Sequence, residues 1–373
     1  MREKGVFKSL LDNLVCRFKI KILPYLKWYI FGFIFIISVA SFFIPADIFS
    51  RQLKVYFLDV GQGDAVLIRT PSHQTVLIDG GPDNSVIYKL GKYLPFWERK
   101  IDLIILTHPH ADHLTGLIEV LKRYKVERIV FTGVSYYSDF YKEFKKLREE
   151  KQIPFTLAIA GREFDFGGEP PLTPPISPEA SEQGQPPLTP PISPRAKQGE
   201  REGVKIKILS PRDNLWNKVF YGNENDGGGL NDTSVVAQLS FGKNSFLFMG
   251  DAGVEVEKEI LKFQAPNSKF CPFGTSPAGR QTNPNNPNPT TNNYQLTSNI
   301  LKIGHHGSDT ASGYEFLKSV SPNLAIISVG KNKYSLPTYR TLYRLRQLGI
   351  PTFRTDEKGD IKARCSLEMC RIE

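Results

Sequence analysis

At residues 106–116 the chain reads LTHPHADHLTG, directly behind the apolar run 101–106 that only Asp102 interrupts. Three of its six histidines, His108, His110 and His113, stand with Asp112 within six positions. Ionisable groups cannot follow a buried strand into a core unless they find partners there. This strand must therefore end at the edge of a sheet, where its polar groups meet others. His305 and His306 end a second apolar strand in ILKIGHHGSD, and Asp251 ends a third in NSFLFMGDAG. Imidazoles and carboxylates leaving strand ends in this way are the ligand set of zinc and related first-row metals. The sixth histidine, His73 in the turn-like TPSHQT, reads as an ordinary surface residue.

The pattern around these motifs predicts a mixed α/β domain. LKVYFLDV, AVLIRT and TVLIDGG read as short successive strands with turns at Gly61-Gln62-Gly63 and Pro71-Ser72. The strand 101–106 leads into a helix from Leu114 to Tyr124 and a strand at 127–131. Further strands fit 204–209, 233–240, 244–249, 299–303 and 323–328, and helices fit 253–263, 312–320 and 338–348. Paired strands first, then strands separated by helices, indicate an α/β layer architecture. Gly61, Gly63, Gly80 and Gly81 serve turns; none forms a phosphate-binding loop before a helix.

Three regions stand apart. Residues 28–44, WYIFGFIFIISVASFFI, carry no charge, and Pro45 and Ala46 extend the run. That length reaches the lower end of what spans a bilayer. A basic segment, 1–27, precedes it, and the polar leader is longer than that of a cleaved signal peptide. The expectation is a retained anchor over 28–46, with a cytoplasmic N-terminus and the domain 51–373 outside the cytoplasmic membrane. Eight Lys or Arg against three acids in residues 1–51 account for +5 of the formal charge of +10, so the domain is only mildly basic. PPLTPPISP occurs at 170–178 and again at 186–194, and about 264–295 is rich in Asn, Pro and Thr. Such composition cannot pack a core, so about 168–202 and 264–295 read as low-complexity inserts. The four cysteines suggest no disulfide framework, and Cys365 and Cys370 read as incidental.

Asp79 in LIDGG, the THPHADH segment, Gly250-Asp251 and HHGS at 305–308 resemble, in order, the motifs of the metallo-β-lactamase fold superfamily. FLDVGQGDAVLI, NLAIISVGKNKY and LGIPTFRTDEKGDI resemble more narrowly the extracellular hydrolase domain of ComEC-type competence proteins, which take up transforming DNA. The likeness runs from about Leu53 to Ile361, without that family's multi-helix channel. It implies a four-layer αβ/βα sandwich preceded here by one transmembrane helix. It also implies two divalent metal ions, zinc first and manganese as the alternative. His108 and His110 would hold one metal, Asp112 and His113 the other, with Asp251 bridging and His305 or His306 as the late ligand. Asp112, His113 and Asp251 would carry catalysis. Asp79 would orient the histidine loop, and Asp64, Asp232 and Ser308 fall in supporting or substrate-contacting places.

Two departures stand out. No histidine occurs between 114 and 304, where many superfamily hydrolases supply another ligand; either Asn231 or Asp232 substitutes, or the first site is open and binds metal weakly. Leu336-Pro337 replaces a His-Pro pair that the relatives tend to have. The resemblance implies a membrane-anchored phosphodiesterase or nuclease acting on DNA within uptake machinery. The alternatives are a hydrolase of small esters, lactones or β-lactams, and a non-catalytic DNA receptor with a degenerate metal site.

Overall fold

In the strand Thr75–Ile78, Val76 and Ile78 enter one apolar cluster and Leu77 another. This is the period-two alternation of a strand covered on both faces. A computed structural model describes residues 25, 27–35, 52–167, 203–220, 227–264 and 296–373. The chain divides into two compact units, residues 1–50 and 51–373.

Fifteen strands of the second unit form two large sheets. They are β1 (Leu53–Phe57), β2 (Val66–Arg69), β3 (Thr75–Ile78), β4 (Leu103–Ile105), β5 (Ile129–Phe131), β6 (Phe155–Leu157), β7 (Glu163–Asp165) and β8 (Lys205–Ser210). After them come β9 (Val236–Phe241), β10 (Asn244–Phe248), β11 (Ile300–Lys302), β12 (Leu324–Ile327), β13 (Thr352–Arg354), β14 (Ile361–Cys365) and β15 (Cys370–Ile372). The first sheet runs β15-β14-β1-β2-β3-β4-β5-β6 and the second β7-β8-β9-β10-β11-β12-β13. Each is antiparallel at one end and parallel at the other, the parallel strands being β3-β4-β5-β6 and β10-β11-β12-β13.

Val55, Phe57, Ile68 and Ile78 of the first sheet share a core with Ile208, Leu239, Phe248 and Ile326 of the second. The outer face of the first sheet is covered by α1 (Ser85–Tyr93), α2 (Ala111–Arg123) and α3 (Asp139–Glu150), through residues such as Leu90, Leu117 and Phe144. The outer face of the second is covered by α4 (Val254–Gln264), α5 (Tyr314–Val320) and α6 (Tyr339–Gln347), through Val256, Phe316 and Leu345. The layers are helix, sheet, sheet, helix, a four-layer αβ/βα sandwich.

Residues 25 and 27–35, at the start of the expected anchor, are helical. Among the described residues no helix is long and apolar enough to cross a membrane; residues 36–46 of the expected span lie outside them. So do both low-complexity inserts, apart from Gln264 at the end of α4. The reading of two cysteines is corrected. Cys365 and Cys370 face each other across the β14–β15 hairpin and form a disulfide. The spacing alone did not show it, because the pairing depends on the hairpin register, which the Ser366 N–H closes by donating to the Met369 carbonyl (3.0 Å).

Candidate metal centre

Parallel strands present their carboxyl ends together, and in open α/β sheets ligands collect there. Here β3 ends at Asp79, β4 at Thr107–His113, β10 at Gly250-Asp251 and β11 at Gly304–Gly307. These four segments, far apart in sequence, meet because of this topology.

Helix α2 opens inside the site, with Asp112 and His113 in its first turn, where the helix dipole favours a carboxylate. Its approach requires two glycines. A Cβ on Gly116 would lie 1.9 Å from the Gly80 carbonyl oxygen, and one on Gly80 would lie 2.5 Å from the Leu117 nitrogen. The contact is locked by Gly80 N–H donating to the His113 carbonyl at 2.7 Å. His305 and His306 both adopt left-handed backbone, with φ of 47° and 51°, a conformation costing a non-glycine residue on the order of 1–3 kcal/mol. That turn aims both imidazoles at Asp251.

Asp251 is the hub. One carboxylate oxygen lies 3.4 Å from His113 Nε2; the other lies 3.6 Å from His306 Nε2 and 3.9 Å from both His108 Nε2 and His305 Nε2. His306 Nε2 is also 3.3 Å from Asp112 Oδ2. Ligand atoms of Asp112, His113, Asp251 and His306 all lie within 4.8 Å of one another. His108 Nε2 and His110 Nδ1 converge to 2.9 Å beside this group.

The ring nitrogens turned away from the centre are fixed. His113 Nδ1–H donates to Asp79 (2.8 Å), which also accepts from the Thr107 N–H and hydroxyl. His306 Nδ1–H donates to the Ser328 carbonyl at 2.8 Å. Each bond directs the Nε2 lone pair inward, the outer-partner arrangement of a ligating imidazole. Among the buried side-chain atoms, His113 Nε2 and Asp251 Oδ1 have no hydrogen-bond partner. Buried atoms that both offer lone pairs and find no donor are what a cation between them would satisfy. The residues fit a divalent metal.

Charge follows the same geometry. Burial alone would depress His306, but the carboxylates of Asp251, Asp112 and Asp64 outweigh it and hold it up at about 9. His113 is likewise raised, against burial, by Asp251, Asp112 and Asp79. Burial would raise Asp251, yet His306 and His113 hold it well below the ordinary carboxylate range. His108, His110 and His305 are lowered, chiefly by burial.

Other expected residues divide. His306, rather than His305, joins the four-ligand cluster; His305 is more exposed and sits 3.3 Å from Asn231 Nδ2. Asn231 is buried beside His305, with its Oδ1 unpartnered. Asp232 is turned to the Gly253 N–H and is exposed. The Ser308 hydroxyl bonds Thr310. Asp64 lies behind the histidines, 3.5 Å from His306 Nδ1 and 3.8 Å from His113 Nδ1.

Lys302 was missed by the sequence reading. It is 2% exposed, pairs with Asp64 and donates to the Gly250 carbonyl at 3.1 Å. It thereby ties the Gly61–Asp64 turn to the loop of Asp251. The available signal was a lone cation inside the apolar strand ILKIG. Thr107 and Ser234, whose hydroxyls lie 3.1 and 3.4 Å from His108 Nδ1, were missed because such residues are common in any loop.

A two-sheet αβ/βα sandwich with histidines and aspartates at converging strand ends is the architecture of the metallo-β-lactamase superfamily. Residues 58–209 match the model of that superfamily, and the chain carries a metallo-β-lactamase superfamily domain. It is similar to ComE operon protein 3 of Bacillus subtilis (strain 168), 27% identical over 337 residues, covering 84% of this chain and 33% of the relative. Recombination protein 2 of Haemophilus influenzae is 24% identical over 315 residues, covering 83% and 28% respectively. The chain thus spans a third or less of the length of these relatives. Among solved structures, the metallo-β-lactamase fold protein YhfI from Bacillus subtilis is 10% identical with a TM-score of 0.44, covering 84% of this chain and 100% of that one.

Proposed function

We propose that this chain is a metal-dependent hydrolase of phosphodiesters, with DNA as substrate, held at the cytoplasmic membrane with residues 51–373 outside. The observation that carries the hydrolase reading is the convergence of Asp112, His113, Asp251 and His306, with His113 Nε2 and Asp251 Oδ1 buried and unpartnered. His108 and His110 would complete a neighbouring site that shares Asp251. Divalent cations there supply Lewis acidity toward a phosphoryl oxygen and make water nucleophilic near neutral pH. The chain's own part is orientation: Asp79 and the Ser328 carbonyl fix the two imidazoles.

DNA is supported by the similarity to Recombination protein 2 of Haemophilus influenzae. The outward placement is supported by the Cys365–Cys370 disulfide, since such bonds persist in oxidising compartments. It is also supported by the uncharged run at 28–44 behind a basic segment. Asn231 in place of a mid-chain histidine favours, as the second reading, a DNA receptor without turnover.

The test uses the full chain in detergent with quantified zinc or manganese, assayed on single- and double-stranded DNA and on ester, lactone and β-lactam substrates. Metal-dependent DNA cleavage that EDTA stops, and that Asp251→Ala abolishes together with metal occupancy, is the expected result. Turnover of small substrates alone overturns the phosphodiester reading, and DNA binding without turnover under either metal favours the receptor.

A further inference from the structure

From Lys331 to Thr355 the sequence contains six Lys or Arg and no Asp or Glu. Three tyrosines are interleaved with these cations, and all three are exposed: Tyr334 by 63%, Tyr339 by 75% and Tyr343 by 48%. Exposed aromatic rings of this size have no part in the core and expose apolar surface at a cost. Tyr339 and Tyr343, one helical turn apart on α6, stack with ring centroids 6.0 Å apart. Lys333 Nζ lies 5.4 Å from the centre of the Tyr334 ring.

The segment before α6 is a built loop. Asn332 Nδ2 donates to the carbonyls of Gly330 and Leu336, each at 2.9 Å, and its Oδ1 accepts from the N–H groups of Tyr334 and Leu336 at 3.0 Å. One side chain thus ties both ends of the loop and leaves Lys331, Lys333 and Tyr334 outward. The loop also abuts the centre. Thr338 N–H donates to the Gly307 carbonyl at 3.0 Å, Pro337 packs where a Cβ on Gly307 would be, and Gly330 packs on Gly61 and Gln62. Gly307 follows His306, and Gln62 lies two residues from Asp64.

Not every cation there is available. Arg344 is spent on the carbonyls of Asp309, Ala311 and Ser312, and Arg354 pairs with Asp356 and Glu357. Arg340 reaches Asp309 at 3.3 Å while itself largely exposed. Lys331, Lys333 and Arg346 are exposed. Tyrosine faces beside uncompensated cations suit a ligand that offers flat rings and anionic groups in alternation along its length. A duplex hides its ring faces, whereas a single strand presents both.

We infer that the loop 331–338 and the outer face of α6 form a ridge that binds a single nucleic-acid strand. Tyr334 and Tyr339 stack on unpaired bases, and Lys331 and Lys333 meet the phosphates, beside the His306 side of the metal centre. The inference rests on the phosphodiester reading and specifies it: the strand is single where it enters the site. Because Asn332 fixes the loop before any ligand arrives, little ordering cost is left to binding.

The test is fluorescence anisotropy of the full chain in detergent with EDTA, so that no cleavage intervenes. The probes are a labelled oligothymidylate of roughly 16 nucleotides, a length that covers one such binding site, and its duplex with oligoadenylate. Tyr334→Ala and Tyr339→Ala each weaken the single strand about tenfold, the loss of one stacked base, while Tyr334→Phe binds as the parent does. Lys331→Gln/Lys333→Gln lowers the slope of log affinity against log salt by about 1.4; Tyr334→Ala leaves it unchanged. Parent-like affinity in Tyr334→Ala, or duplex binding as tight as single-strand binding, overturns the ridge. Parent-like affinity in that variant, with metal-dependent cleavage restored on adding zinc or manganese, leaves the hydrolase standing and removes only the ridge. Loss of binding in that variant, with no cleavage by the parent under either metal, supports the ridge and overturns the hydrolase.

Discussion

At the scale of single residues, the centre is decided by what lies behind the ligands. Asn231 faces His305 while Asp232 turns to the Gly253 N–H. Asn231→Ala should therefore reduce metal affinity several-fold, and Asp232→Ala should leave it within about twofold, as read by competition with a chromogenic chelator. The reverse order would place the mid-chain ligand at Asp232. Lys302 makes a sharper case. Lys302→Met takes the ammonium from buried Asp64 and leaves it only the imidazoles of His306 and His113, which should cost about 3–5 kcal/mol in urea unfolding. The double variant Asp64→Asn/Lys302→Met should regain much of that loss, because neither charge is then stranded. Unchanged stability in the single variant would show that the pair carries no folding energy.

At the scale of elements, Glu257 of α4 holds the turn that precedes α5. It accepts from the Ser312 N–H and, at 2.8 Å, from the Gly313 N–H. Burial pushes its carboxyl up from 4.5 to about 7 against the pull of those donors. The folded state thus holds this proton more tightly than the unfolded chain does. Its contribution is fully present below pH 4.5 and is lost as pH rises through about 7, to the extent of roughly 3 kcal/mol. Glu257→Gln keeps an acceptor oxygen but cannot ionise, so the fall in unfolding free energy between pH 5 and pH 8 should be smaller in the variant. Identical pH profiles for the two chains would show that Glu257 ionises at its ordinary pH.

At the scale of the whole molecule, the proposed topology makes the domain accessible from outside. Protease added to intact cells stripped of outer layers should cleave within the proline-rich repeat at 170–194 and leave the N-terminal segment protected. Full protection of the domain, or release of a soluble mature form, would count against an outward-facing anchor. The pattern of strand pairs followed by strand–helix alternation was legible because both faces of each sheet are covered, so each strand reads as a short apolar run. The elements at 205–210, 236–241, 244–248, 300–302 and 324–327 lie within a few residues of the expected strands. The disulfide was not legible, since Cys365 and Cys370 become neighbours only once the hairpin register is fixed.

The sequence by itself placed imidazoles and carboxylates at strand ends, because ionisable side chains directly behind apolar runs have few other physical solutions. It could not choose between His305 and His306, or between Asn231 and Asp232, since adjacent residues point in different directions only after the backbone is set. The left-handed turn at 305–306 makes the first of those choices, and the exit from the short helix Gly227–Asn231 makes the second. Lys302 became part of the centre for a similar reason: β10 and β11 pair in parallel and carry it to Gly250 and Asp64. Local chemistry can be read along one chain, but which groups share a point in space depends on contacts between distant segments, as far apart as Asp64 and Lys302, 238 residues along the chain.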